Sequence, residues 1–140
     1  MAEYTAVAVQ TVAANQNVVL TETAVKGTKC ITHREGSGIV TLRGIGAQCR
    51  ARFLVEFGGN IAIPTGGTVE AIQLAIAISG EQLASTTMIV TPAAVEDFFN
   101  VSASAYIDVP AGCCVTVSVK NTSAQPVLVQ NANMIVNRVA

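Results

Sequence analysis

The run CRARFLVEF, Cys49 to Phe57, alternates side chains with a period of two: Cys49, Ala51, Phe53, Val55 and Phe57 against Arg50, Arg52, Leu54 and Glu56. Successive side chains point to opposite faces only in a strand, so this run reads as a strand with one buried face. The same period recurs. In FNVSASAYIDV, Val101, Ala103, Ala105 and Ile107 oppose Asn100, Ser102, Ser104 and Tyr106. In CCVTVSVK, Cys113, Val115, Val117 and Val119 oppose Cys114, Thr116, Ser118 and Lys120. GIVTLRG and NVVLTET are shorter versions, and VLVQNANMIVNRVA reads as a last strand that runs to the C-terminus.

Turn signals lie between these runs: REGSG, FGGN, PTGG, ISGE, VPAG and KNTSAQP. Gly, Pro and Asn supply the backbone angles that tight turns need. Short strands at near-regular spacing, with no βαβ rhythm, predict an all-β antiparallel sandwich. Two stretches also fit helical templates. TPAAVEDFF has Thr91 as a cap and Pro92 at the first helical position, which suits a short turn. EAIQLAIAIS places Ile72, Leu74, Ile76 and Ile78 against Ala71, Ala75 and Ala77 and is followed by a turn at Gly80. It is assigned as a strand.

Both faces of that strand are apolar, so both are covered. The large residues suit the sandwich core. The alanines suit close approach of a neighbouring subunit, or cover by a loop or short helix of the same chain.

Composition bears on the same point. Only 12% of the 140 residues are charged and 51% are hydrophobic, against a charged share of about 25% in ordinary soluble domains. With so few charges, part of the surface is expected to be covered by another chain. The net charge is −1, and Arg50 and Arg52 form the one tight basic pair. No basic stripe is available to neutralise phosphates, so no nucleic-acid partner is expected. No apolar run is long enough to cross a membrane as a helix. The start, MAEYTAVAVQ, lacks the charged head and apolar centre of a signal peptide. Synthesis in the cytoplasm follows, with retention there or export by another route. Residues 1–16 read as a short N-terminal segment suited to docking, and residues 17–140 as the folded domain.

The strand pattern resembles the jelly roll shared by complement-type and tumour-necrosis-factor-type trimers. The residues that carry the likeness are ARFLVEF, the internal pair TVEAIQLAIAISGEQ and TTMIVTP, and the closing strand ANMIVNRVA. The close is similar to the C-terminal domain of collagen-like glycoproteins of bacterial spore coats, although no Gly-X-Y stalk is present. HREGSGIVTLRG, with CRARFLVEFGGNIAIPTGG after it, is similar to small proteins carried by bacterial viruses and prophages. The resemblance implies a homotrimeric β-sandwich jelly roll with a structural or adhesive role on a virus particle, as capsid decoration, head fibre or tail-fibre tip. Its partners would be other virion proteins and a host-surface glycan or protein. The alternative is a carbohydrate- or receptor-binding module of a bacterial cell or spore surface. No Trp and only two Tyr are available as sugar-stacking platforms. For the trimer interface the expected residues are Ala75, Ala77, Tyr106, Met134 and Val136.

Catalytic chemistry has little to work with. His33 is the single histidine, and Cys30 precedes it by three residues. On a strand that spacing sends the two side chains to opposite faces, so a hydrogen-bonded His at a strand end is expected. Glu96 and Asp97 are adjacent acids in a turn, short of the oxygen cage that calcium needs. Cys30 and Cys49 are too far apart for a zinc half-site, and Cys113 and Cys114 are too close. No metal or cofactor is expected. Cys113 is assigned to the core face with Val115 to Val119, and Cys114 to the outer face. All four thiols are expected buried and unbridged, with late oxidation between chains as the alternative. Arg50, Arg52 and Glu56 share the polar face of their strand, where they meet either solvent or a subunit boundary.

Overall fold

A computed structural model describes residues 1–46, 49–112 and 114–140. Twelve strands form among them: β1 (Ala2–Ala6), β2 (Gln10–Val12), β3 (Glu22–Val25), β4 (Ile31–His33), β5 (Val40–Arg43), β6 (Arg50–Ala62), β7 (Ile72–Ile78), β8 (Glu81–Gln82), β9 (Met88–Val90), β10 (Phe99–Pro110), β11 (Cys114–Asn121) and β12 (Val127–Arg138). One sheet runs β10-β6-β12-β1-β3, with β2 also on β12. The other runs β4-β5-β11-β7-β8, with β9 also on β7. All pairings are antiparallel, and from β5 onward the chain passes repeatedly between the sheets. The protein is an antiparallel β-sandwich of jelly-roll form.

Period two decides which side chains fill the sandwich. β6 buries Ala51, Phe53, Val55 and Phe57, while Arg50, Arg52, Leu54 and Glu56 face away. β12 is in register beside it, Met134 on Phe57 and Val136 on Val55, so their inward phases coincide. From the opposite sheet come Leu42, Leu74, Ile76, Val117 and Val119. The Val115–Val119 phase of β11 is therefore the core face, as expected; Cys113 lies outside the described residues. Cys114, the first residue of β11, is exposed.

β7 is a strand, and its closing turn shows why. Ile78 pairs with Glu81 across Ser79 and Gly80, which have φ of 51° and 86°. A two-residue hairpin turn with both central residues left-handed matches the right-handed twist of the strands it joins. Both faces of β7 are covered, but by its own chain: Ala75 and Ala77 are 0% exposed in the single protomer. Lys120 stands opposite Ala75 and its ammonium reaches the Gly80 carbonyl oxygen at 3.4 Å, so its methylene stem lies along the alanine side. A short 3-10 helix, Ala84–Thr86, runs beside β7. There Thr86 Oγ1 accepts from the Ile76 N–H at 2.9 Å, where a neighbouring strand would otherwise pair.

Two other expectations are corrected. Residues 1–16 are not separate from the folded domain. β1 lies between β12 and β3, β2 pairs with β12, and Ala2, Tyr4, Ala6 and Val12 enter the core. The cause is visible at Asn121, which is completely buried. Its Nδ2 donates to the carbonyls of Val12 (2.9 Å) and Gln125 (3.0 Å), and its Oδ1 accepts from the Ser123 N–H (2.9 Å). Its backbone bonds to Asn15 and Gln16. The stretch after Thr91 forms bends and a turn in place of a helical turn. The Glu96 N–H donates to the Ile63 carbonyl at 2.7 Å, with Glu96 at φ 59°.

Asn121→Ala removes the side-chain partner of two carbonyls and an N–H, so unfolding free energy should fall by about 1–3 kcal/mol in a denaturant titration. Amide exchange should quicken first along β2. Deleting residues 1–16 should abolish cooperative unfolding, where loss of a mere arm would leave it intact.

Candidate functional site

The side of the β10-β6-β12 sheet that faces away from the core is the surface with the most to explain. Register builds it in rows. Tyr106 of β10 lies beside Leu54 of β6, and Leu54 beside Asn137 of β12. Next come Ser104, Glu56 and Ile135, then Ser102, Gly58 and Asn133. Tyr106 is 67% exposed in the middle of a strand, and Leu54 and Ile135 are half-buried. The serines and Gly58 leave a shallow groove of 440 Å³ that reaches down to Phe57. A Cβ at Gly58 would come within 2.9 Å of Asn133 Oδ1, the movable end of a side chain.

At one end of this face Arg52 grips Asp108 with two parallel bonds, Nε to Oδ1 at 2.8 Å and Nη2 to Oδ2 at 3.2 Å. Arg50 approaches the same carboxylate at 3.5 Å. These ion pairs lie within one chain, between β6 and β10. The Arg52 hydrogen bond, aided by the charges of Arg52 and Arg50 against a smaller opposing desolvation, holds Asp108 below the usual carboxylate range.

Of the five residues expected at a subunit seam, only Tyr106 lies on this face. Ala75, Ala77, Met134 and Val136 are at most 1% exposed, so a second copy could cover nothing further of them. Met134 and Val136 are in the inward phase of β12, as partners of Phe57 and Val55. Leu54 and Ile135 were passed over, yet a signal existed: each is an apolar residue on the otherwise polar phase of its strand.

The thiols also differ from expectation. Cys49 and Cys114 are exposed and Cys30 is half-buried; Cys30 and Cys49 are unbridged. Parity assigned Cys49 to the core phase, but it sits in a bend before β6 begins, where parity no longer holds. The Cys30 Sγ accepts from Arg138 Nη1 at 3.2 Å, not from His33. His33 ends β4 with Nε2 at 2.9 Å from the Ser37 carbonyl oxygen. A carbonyl only accepts, so Nε2 carries the proton. Glu96 accepts from the Thr65 hydroxyl, an ordinary turn contact.

No protein-family model and no curated protein matches the chain. Among solved structures, the globular domain of zebrafish complement 1qA protein superposes with a TM-score of 0.65, at 10% sequence identity, over 96% of this chain and 94% of that one. The likeness is one of fold. A Podospora anserina GH26-CBM35 β-(1,4)-mannanase matches at 16% identity and a TM-score of 0.35, with 94% of this chain and 28% of the enzyme covered. A family 35 carbohydrate-binding module from an environmental isolate matches at 10% identity and a TM-score of 0.37, over 100% and 98%. Scores this low leave the jelly-roll assignment resting on the chain's own sheets and on the complement domain.

Folding lowers the Asp108 carboxyl below its unfolded value. Its contribution to stability is therefore present above the unfolded carboxylate range and vanishes as pH falls through the folded value. Urea midpoints of the wild type and Asp108→Asn should differ at neutral pH and converge in acid, with the gap narrowing in high salt.

Proposed function

We propose that the chain is a non-enzymatic binding and display module that assembles as a homotrimer. The observation that carries this is Tyr106, exposed in the middle of β10 and continued by Leu54 and Ile135 across three adjacent strands. A large aromatic on a flat sheet face, next to residues too small to shield it, marks a surface made to be covered. Closed symmetry lets identical faces meet around an axis without leaving an open end. The fold likeness to a complement globular domain supports this use of the sheet. The ion pairs of Arg52 and Arg50 with Asp108 then lie at the rim of the contact.

The finer proposal places the trimer on the surface of a bacterial virus particle, as capsid decoration, head fibre or tail-fibre tip, assembled in the host cytoplasm. It rests on the resemblance carried by HREGSGIVTLRG and CRARFLVEFGGNIAIPTGG. A neighbouring gene for a capsid or tail protein would support that placement, and one for a spore-coat or cell-surface component would move the module there.

Light scattering should give a mass of roughly 43 kDa, three times the 14.4 kDa chain. Tyr106→Glu combined with Leu54→Glu should give a monomer with an unchanged far-ultraviolet spectrum. A monodisperse wild-type monomer at micromolar concentration overturns the assembly.

A further inference from the structure

A cleft of 810 Å³ opens at the other edge of the molecule, where β1, β3 and β4 meet. It is remote in register from Tyr106, since β3 and β10 are the opposite ends of their sheet. Its floor is Ile31 with Tyr4, whose ring lies 4.4 Å from that of His33 at a tilt of 42°. Tyr4, which carries a phenolic hydroxyl, is only 2% exposed. Burial raises the pKa of that hydroxyl, which keeps it a proton donor. Beside it, His33 Nδ1 is buried and without a partner. With Nε2–H donating to Ser37, the neutral ring offers Nδ1 as an acceptor. Proteins leave few buried polar groups unmatched, so this one beside a cleft needs a reason.

The rim adds charge. Lys26 and Lys29 both line the cleft, and among the described residues neither ammonium has an ion-pair partner. One acid, Glu35, also lines the cleft, its Oε2 accepting from the Thr23 N–H at 3.2 Å. Thr28 and Thr32 supply hydroxyls that both donate and accept. Two unpaired cations, several hydroxyls, a buried donor and a buried acceptor suit a ligand bearing an anionic group beside hydroxyl groups.

We propose that this cleft binds a small hydroxylated anion, of the class of sugar acids and sugar phosphates. Lys26 and Lys29 hold the anionic group, the Tyr4 hydroxyl donates to a ligand oxygen, and His33 Nδ1 accepts from a ligand hydroxyl. The site is built from one chain, so it stands or falls separately from threefold assembly, whose failure light scattering would register on its own.

The test is a titration of the full chain followed by backbone amide shifts, with glucuronate, glucose 6-phosphate, glucose and inorganic phosphate as probes. Saturable shifts at Thr28, Thr32 and His33 with glucuronate or glucose 6-phosphate are expected, and the better of the two identifies the anion as carboxylate or phosphate. Glucose alone and inorganic phosphate alone should each bind on the order of tenfold more weakly, because each loses one set of partners. Lys26→Gln with Lys29→Gln should weaken binding by on the order of tenfold, and Tyr4→Phe, which keeps the ring, by about fivefold. The lysines are exposed, so that pair decides if Tyr4→Phe fails to fold. Absence of saturation with both sugar anions overturns the proposal. So does equal binding of inorganic phosphate, the mark of an adventitious ion only, or affinity unchanged in the lysine variant.

Discussion

The lateral pairing of β6 with β12, with their inward phases aligned, is the constraint on which the rest of the molecule depends. Phe53, Val55 and Phe57 share one inward face with Ala132, Met134 and Val136. Because side chains alternate, aligning the inward phases also aligns the outward ones. Leu54 thus falls beside Asn137, and Ile135 beside Glu56. The same register that closes the core composes the surface on the other side, and a slip of one residue would invert both. β1 and β10 continue the sheet on either flank, so the candidate interface at β10 and the cleft at β1 and β3 inherit their positions from this pair.

Polar satisfaction closes the structure where apolar packing ends. Asn121 occupies the last position of β11 with no exposure and uses its amide on three backbone groups. A buried side-chain amide is tolerable only when its donors and acceptor are matched, and here matching them ties the N-terminal strands to the second sheet. Thr86 does a comparable task for β7, accepting from one backbone N–H in the gap between β8 and β9. At the cleft beside Tyr4, by contrast, the buried His33 Nδ1 remains unmatched.

Period two was legible throughout, and with it the sandwich, the inward phases of β6, β10 and β11, and the hairpin at Gly80. Cys30 lies in the turn before β4, so strand parity does not place it, and its Sγ meets Arg138. The candidate interface was legible only in Tyr106. Apolarity on both faces of β7 told that both were covered, but a side chain does not record whose atoms cover it. Met134 and Val136 were assigned to a seam because a C-terminal strand closes the likened trimers; parity alone would have set them inward with Phe57.

What the sequence determined by itself is local and periodic: which residues alternate and where turns of left-handed backbone fall. Tertiary structure decided everything that requires two distant segments to meet. It put residues 1–16 into the sheet through Asn121, joined Arg52 to Asp108, set Lys26 and Lys29 around Tyr4 and His33, and left Tyr106 uncovered. The reason is that strand pairing in a jelly roll is long-range. The partners of β6 lie dozens of residues away, and no period within a strand specifies which of several compatible neighbours it will take.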